Sequence, residues 1–147
     1  MEIILERNKE IAVLQPVGRL DIAASREFMA RADELLDAGE RRVVVDFART
    51  EYIDGAGMRV LLVMAKKLTG LGGGLTLCAL SEPVSRALEV AGFGLRFSTT
   101  ASIEVAIQQI NVAEAVHRIS ERAASLLSVA EERDLAAEAE QEEKDVK

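Results

Sequence analysis

The segment Asp54-Gly55-Ala56-Gly57 carries the sharpest local chemistry in this sequence. An aspartate followed by small residues caps a helix, and the unpaired N–H groups of that helix start then form a site that favours an anion. The plainer reading is that Asp54 itself is the cap and the glycines let the turn form. Asp21, after Gly18-Arg19-Leu20, offers a second cap of the same kind, and Asp46 closes the β-branched run Val43-Val44-Val45. These three carboxylates could hold a divalent cation only if the fold brings them together, and carboxylates at caps and strand ends ordinarily serve the backbone. No metal site and no cofactor are expected.

The other reactive groups are few. Cys78 is the single cysteine and lies within the apolar run Leu75 to Leu80, where a thiol behaves as a small hydrophobe, so neither a disulfide nor a zinc site can form within the chain. His117 is the single histidine, and a Ser-His or Cys-His pair would have to use that one ring. The run Gly70-Leu71-Gly72-Gly73-Gly74 follows a helix and precedes a strand, the reverse of a phosphate-binding loop, and reads as a turn. The expectation is a protein that is not an enzyme.

The elements around these residues alternate. Ile3 to Glu6 and Ile11 to Val17 are β-branched stretches joined by Asn8-Lys9-Glu10 and predict a hairpin, with Pro16 placing the end of the second strand at an edge or bulge. Asp21 caps a helix with Ile22, Phe28, Ala32, Leu35 and Leu36 as its apolar positions, ending at Gly39. Arg42 to Phe47 reads as a central strand, Met58 to Leu68 as a second helix capped by Asp54, and Leu75 to Leu80 as another strand. Ser81-Glu82-Pro83 starts a third helix that Ala91-Gly92 stops; Phe93 to Phe97 predicts a short strand, and Thr100 or Ser102 caps a helix from Ile103 onward. This order is that of an α/β domain over residues 1–110, a mixed sheet of four to five strands covered by α-helices.

The chain has 147 residues, a net charge of −7 and 3% aromatic residues. An acidic chain lacks the attraction that dominates nucleic-acid binding and docking on anionic lipid, and without aromatics it has no stacking platform, so other proteins are the expected partners. No signal peptide and no apolar run long enough to span a bilayer is found, which predicts a cytoplasmic protein without membrane insertion. Residues 111–147 hold 10 acidic and 5 basic residues, so most of the charge sits in this C-terminal helical extension, whose charge-dense end from Glu138 onward is expected to be disordered. Val112, Val116, Ile119, Ala123, Leu126 and Ala130 recur at alternating spacings of four and three, a coiled-coil-like stripe that could join two copies as a homodimer.

The second helix is apolar around more than one face through Val60-Leu61-Leu62-Val63-Met64-Ala65. With Met58, Leu61, Leu62 and Ala65 packed inward, some of Val60, Val63, Met64 and Lys67 line an outer apolar face with a cationic edge, suited to a protein partner or to cover by another helix. Together with the turn, the candidate partner-binding residues are Asp21, Asp54, Gly55, Ala56, Gly57, Met58, Val60, Val63 and Met64.

Gly18-Arg19-Leu20-Asp21, Val43-Val44-Val45-Asp46-Phe47, Tyr52-Ile53-Asp54-Gly55-Ala56-Gly57, Leu75 to Val84, and Leu88-Glu89-Val90-Ala91-Gly92-Phe93 stand in one order and spacing that resembles the STAS domain family, the anti-sigma factor antagonists and their relatives. The resemblance covers residues 1–110 and implies a regulatory, non-catalytic module that binds an anti-sigma factor of the serine-kinase type. In that family the kinase phosphorylates a Ser or Thr within Asp-x-Ser-Gly and so breaks the complex. The acceptor position here is Ala56, which has no hydroxyl, while Asp21 and Asp54 match the acidic positions around it. A binding module without that switch is therefore expected, with Thr50, Ser25 and Ser81 as the other hydroxyls to weigh. The alternative that the resemblance leaves open is a scaffold or adaptor subunit of a signalling complex or of a membrane lipid or anion transport system.

Overall fold

A computed structural model of the chain describes residues 1–94 and 96–146, with side chains through residue 139. The elements are β1 (Glu2–Asn8), β2 (Ile11–Leu20), α1 (Ile22–Asp37), β3 (Arg42–Asp46), β4 (Thr50–Ile53), α2 (Gly55–Gly70), β5 (Gly74–Cys78), α3 (Glu82–Val90), β6 (Ser98–Thr100) and α4 (Ile103–Val146). They fall into two compact units, Met1–Gln109 and Ile110–Lys147. Among the described residues no helix is long and apolar enough to cross a membrane.

The first unit is a mixed sheet with the order β1-β2-β3-β5-β6, with β4 attached to β2 off that path. β1 and β2 form the antiparallel hairpin around Lys9, whose φ of 55° makes the tight turn; every other pairing is parallel. The sheet thus has six strands, against the four to five that the sequence pattern predicts. The additional one is β4, Thr-Glu-Tyr-Ile, whose two middle residues are exposed, so no buried run marks it. The last strand is Ser98–Thr100 rather than Phe93 to Phe97; in that segment Leu95 lies outside the described residues, and Phe97 is a core residue.

β2 is longer than its β-branched stretch suggests and runs straight through Pro16. The proline falls beyond Leu14, the last residue paired with β3, and before Gly18, the first paired with β4, so its missing N–H interrupts neither parallel ladder. Burial follows the expected logic at β3, where Val43, Val44 and Val45 are all buried, the signature of a strand covered on both faces. Against this sheet pack Ala24, Phe28, Ala32 and Leu35 of α1 and Met58, Val60, Leu61, Met64 and Leu68 of α2. The α1 set keeps spacings of four, four and three, and the α2 set spacings of three, three and four with Val60 added.

Two sequence readings of the helices are corrected here. Ile22 is 75% exposed and not part of the buried stripe of α1, because Phe28 lies six residues away while Ala24, Phe28 and Ala32 repeat at four. In α2 the inward residues include Val60 and Met64, which the sequence reading put on the outer face; Leu62 and Ala65 are half-buried. The second unit consists of the continuation of α4, which runs to Val146 and so past the point where disorder is expected, although the side chains of its last residues lie outside the described set.

Candidate functional site

The site is built by strand register. β2 and β4 lie parallel with Arg19 beside Tyr52 and Leu20 beside Ile53, and each strand ends at the second of those pairs. The next residue in each chain segment is an aspartate in extended conformation, and each aspartate begins a helix. Two helix N-termini, those of α1 and α2, therefore start side by side.

Asp54 is bonded to both. Its Oδ1 accepts the N–H of Ala56 at 3.0 Å and of Gly57 at 3.1 Å, capping α2, while its Oδ2 accepts the N–H of Ile22 at 2.9 Å in the first turn of α1. Asp21 caps α1 by accepting the Ala24 N–H at 3.1 Å. The anion that the helix start favours is thus the Asp54 carboxylate itself, and these N–H groups are taken within the fold. Asp46 is held elsewhere, by Gln15 Nε2 at 3.0 Å and the Ala48 N–H at 3.0 Å. Among the described residues no group of three His, Cys, Asp or Glu side chains could hold a metal ion.

Close packing fixes the turn. A Cβ on Gly57 would stand 2.5 Å from the Leu20 carbonyl oxygen and 2.9 Å from Ile53, so only glycine lets α2 approach the end of β2. Gly55 is exposed with open space around it, and Ala56, the second residue of α2, is half-buried. Around this turn stand exposed Ile22 and Tyr52, the latter covered by the Arg19 guanidinium 4.1 Å from its ring centroid. From Tyr52, Gly55 and Met58 an open cleft of about 840 Å³ reaches Pro83, Arg86 and Val90 of α3.

Of the residues singled out from sequence, Asp21, Asp54, Gly55 and Ala56 come together at the surface, and Val63 is half-buried further along α2. Gly57, Met58, Val60 and Met64 are buried in the domain and support that surface from beneath. Sequence reading missed Ile22, Tyr52 and Val90. The available signal was periodicity: Ile22 stands two residues from Ala24 and Val90 two from Leu88, which turns each away from the buried face of its helix.

The three other hydroxyls singled out from sequence each bond within the fold. Thr50 is buried and donates its Oγ1 proton to the Pro16 carbonyl at 2.8 Å; Ser25 donates to the Ile22 carbonyl, and Ser81 caps α3. Burial, reinforced by the negative charges of Asp46 and Glu104, pushes the Cys78 thiol up to about 12, so it is not a nucleophile at neutral pH. His117 is exposed on α4 and pairs with Glu121 at 2.9 Å.

Comparison with known proteins agrees with this architecture. Residues 2–106 match the STAS domain family. A Bordetella bronchiseptica protein named "Putative anti-sigma factor antagonist BtrV" is 41% identical over 96 residues, which are 65% of this chain and 81% of that protein. Among solved structures, the anti-sigma factor antagonist SpoIIAA in its unphosphorylated form aligns with a TM-score of 0.62 at 25% identity, over 75% of this chain and 98% of that one. An anti-sigma factor antagonist from Mycobacterium paratuberculosis aligns with a TM-score of 0.69 over 75% of this chain and 93% of that one, and at 16% identity it shows the shared fold. With its six-stranded mixed sheet, its paired helix starts and a family match that spans most of its length, the chain belongs to the STAS domain family.

Proposed function

We propose that this STAS domain is a non-catalytic regulatory module that binds a protein partner, an anti-sigma factor of the serine-kinase type, through the surface where α1 and α2 begin. The observation that carries the reading is Asp54-Gly55-Ala56-Gly57 itself: Asp54 ties both helix starts together, and the residue in the acceptor place carries a methyl group. The likeness to BtrV and SpoIIAA supports the partner class. Asp21, Asp54, Gly55, Ala56 and Val63 with Ile22 and Tyr52 form the contact surface, and Gly57, Met58, Val60 and Met64 hold it in shape.

A phosphate at this turn would add nearly two negative charges beside a carboxylate that already occupies the helix N–H groups, so it would be repelled and would disrupt a docked partner. Ala56 removes that possibility, and the module stays in its binding-competent form. The buried Thr50 cannot stand in for it. Replacement of Ala56 by serine tests this: with a cognate kinase-type partner and MgATP, Ala56→Ser gains one phosphate and releases the partner, while the natural chain gains none. Phosphate on the natural chain that releases the partner refutes the reading.

The apolar stripe of α4 is read as a separate, self-associating face, through Val112, Val116, Ile119, Ala123 and Leu126.

A further inference from the structure

Val112, Val116, Ile119 and Leu126 of α4 are 56–68% exposed, so four large aliphatic side chains of one helix face stand in water. Continued at the same spacing, the stripe passes through Ala130, Arg133 and Ala137. Three of the first four positions are large, Val112, Val116 and Ile119 with Ala123, and three of the last four are alanine or arginine, Ala130, Arg133 and Ala137 with Leu126. That asymmetry bears on how two copies can meet.

In a parallel, in-register pair each residue faces its own copy. Ala123, Ala130 and Ala137 then face alanine and leave gaps, and Arg133 faces Arg133. Residues 131–138, with four acidic side chains and one basic, would also lie beside each other. In an antiparallel pair with Ala123 opposite Leu126, every layer joins positions whose numbers share one sum. Val112 then faces Ala137, Ile119 faces Ala130, and Ala123 faces Leu126, each a large residue against a small one. Arg133 faces Val116, across which its aliphatic stem can lie while the guanidinium reaches water. The acidic segment 131–138 comes to lie along 111–118, which contains Arg118 and His117 and one acidic residue, Glu114.

We infer that α4 is an antiparallel dimerisation helix, whose occupant is a second copy of the same helix in the register that sets Ala123 against Leu126. This rests on the reading of the stripe as self-associating and gives it a direction and a register. The overlap of 26 residues from Val112 to Ala137 is ~39 Å long at the helical rise. The arrangement is two-fold symmetric, as closed homodimers generally are, because each layer recurs with the two copies exchanged.

Sedimentation of the full chain together with cysteine cross-linking tests this. Val112→Cys and Ala137→Cys variants, one carrying a size tag, are oxidised mildly, alone and mixed; Cys78 is fully buried and stays silent. The inference predicts a mass of two chains, reduced to one chain by Ile119→Arg, with cross-linking strong in the mixture and weak in either variant alone. A one-chain mass at high concentration, or a dimer that Ile119→Arg leaves intact, overturns the self-association reading and the inference with it. A dimer in which Val112→Cys links to itself preserves self-association and overturns the antiparallel register.

Discussion

The Asp54 carboxylate accepts the Ile22 N–H at 2.9 Å across 32 residues of sequence, while its other oxygen caps α2. One side chain therefore sets the spacing of the two helix starts that form the candidate surface. Removing it loses a cap and a tie between helices. Asp54→Ala is expected to cost ~2–3 kcal/mol in urea unfolding, above the ~1 kcal/mol of an ordinary cap, and Asp54→Asn less than Asp54→Ala. Equal costs for the two variants near ~0.5 kcal/mol would show that the bond to Ile22 contributes little.

The two glycines flanking Ala56 should respond in opposite ways. Gly57→Ala drives a methyl group to 2.5 Å from the Leu20 carbonyl oxygen and should destabilise by ~1–3 kcal/mol or more, whereas Gly55→Ala meets open space in a helical turn and should be neutral or stabilise by up to ~1 kcal/mol. Thermal melts of the two variants check this. Similar melting temperatures would contradict the close approach of α2 to β2.

Thr50→Val replaces a buried donor to the Pro16 carbonyl with a methyl group. A loss of ~1–2 kcal/mol is expected, and phosphopeptide mapping of the native protein should find no phosphate at Thr50. A phosphorylated Thr50 in folded protein would require β4 to open.

Cys78 should resist thiol reagents in the native state at pH 8 and react fully once the chain is unfolded. The sign of its pH effect follows from its raised value. Unfolded chain releases this proton near 9.0 and folded chain near 12, so the unfolded state binds fewer protons between them and stability falls as pH rises through that window. Cys78→Ala should flatten that fall in urea unfolding at pH 9 and 10; an unchanged slope would mean that other groups account for it.

Much of this molecule was legible in residue types. Asp21, Asp54 and Ser81 announced three helix starts, and Val43-Val44-Val45 announced a strand buried on both faces, because caps and continuous β-branched runs act locally. β4 was not legible, since its strand character comes from pairing with β2 rather than from its own four residues. The outward set of the Val60–Ala65 run was misassigned for a related reason: a helix apolar all round carries no period, and only the sheet and α1 decide which residues turn inward. The tie between Asp54 and Ile22 is likewise tertiary, created by the register of Leu20 beside Ile53.

We propose the turn around Ala56 as a protein-binding surface without a phosphorylation switch. Calorimetric titration of the full chain with each serine-kinase-type anti-sigma factor encoded in the same genome tests it most directly, with the natural chain and with Ala56→Asp, before and after incubation with MgATP. One such partner is expected to bind the natural chain equally well before and after incubation, and Ala56→Asp to weaken binding at least ~10-fold, about 1.4 kcal/mol. Absence of binding by all of them, or binding that MgATP abolishes for the natural chain, would contradict it.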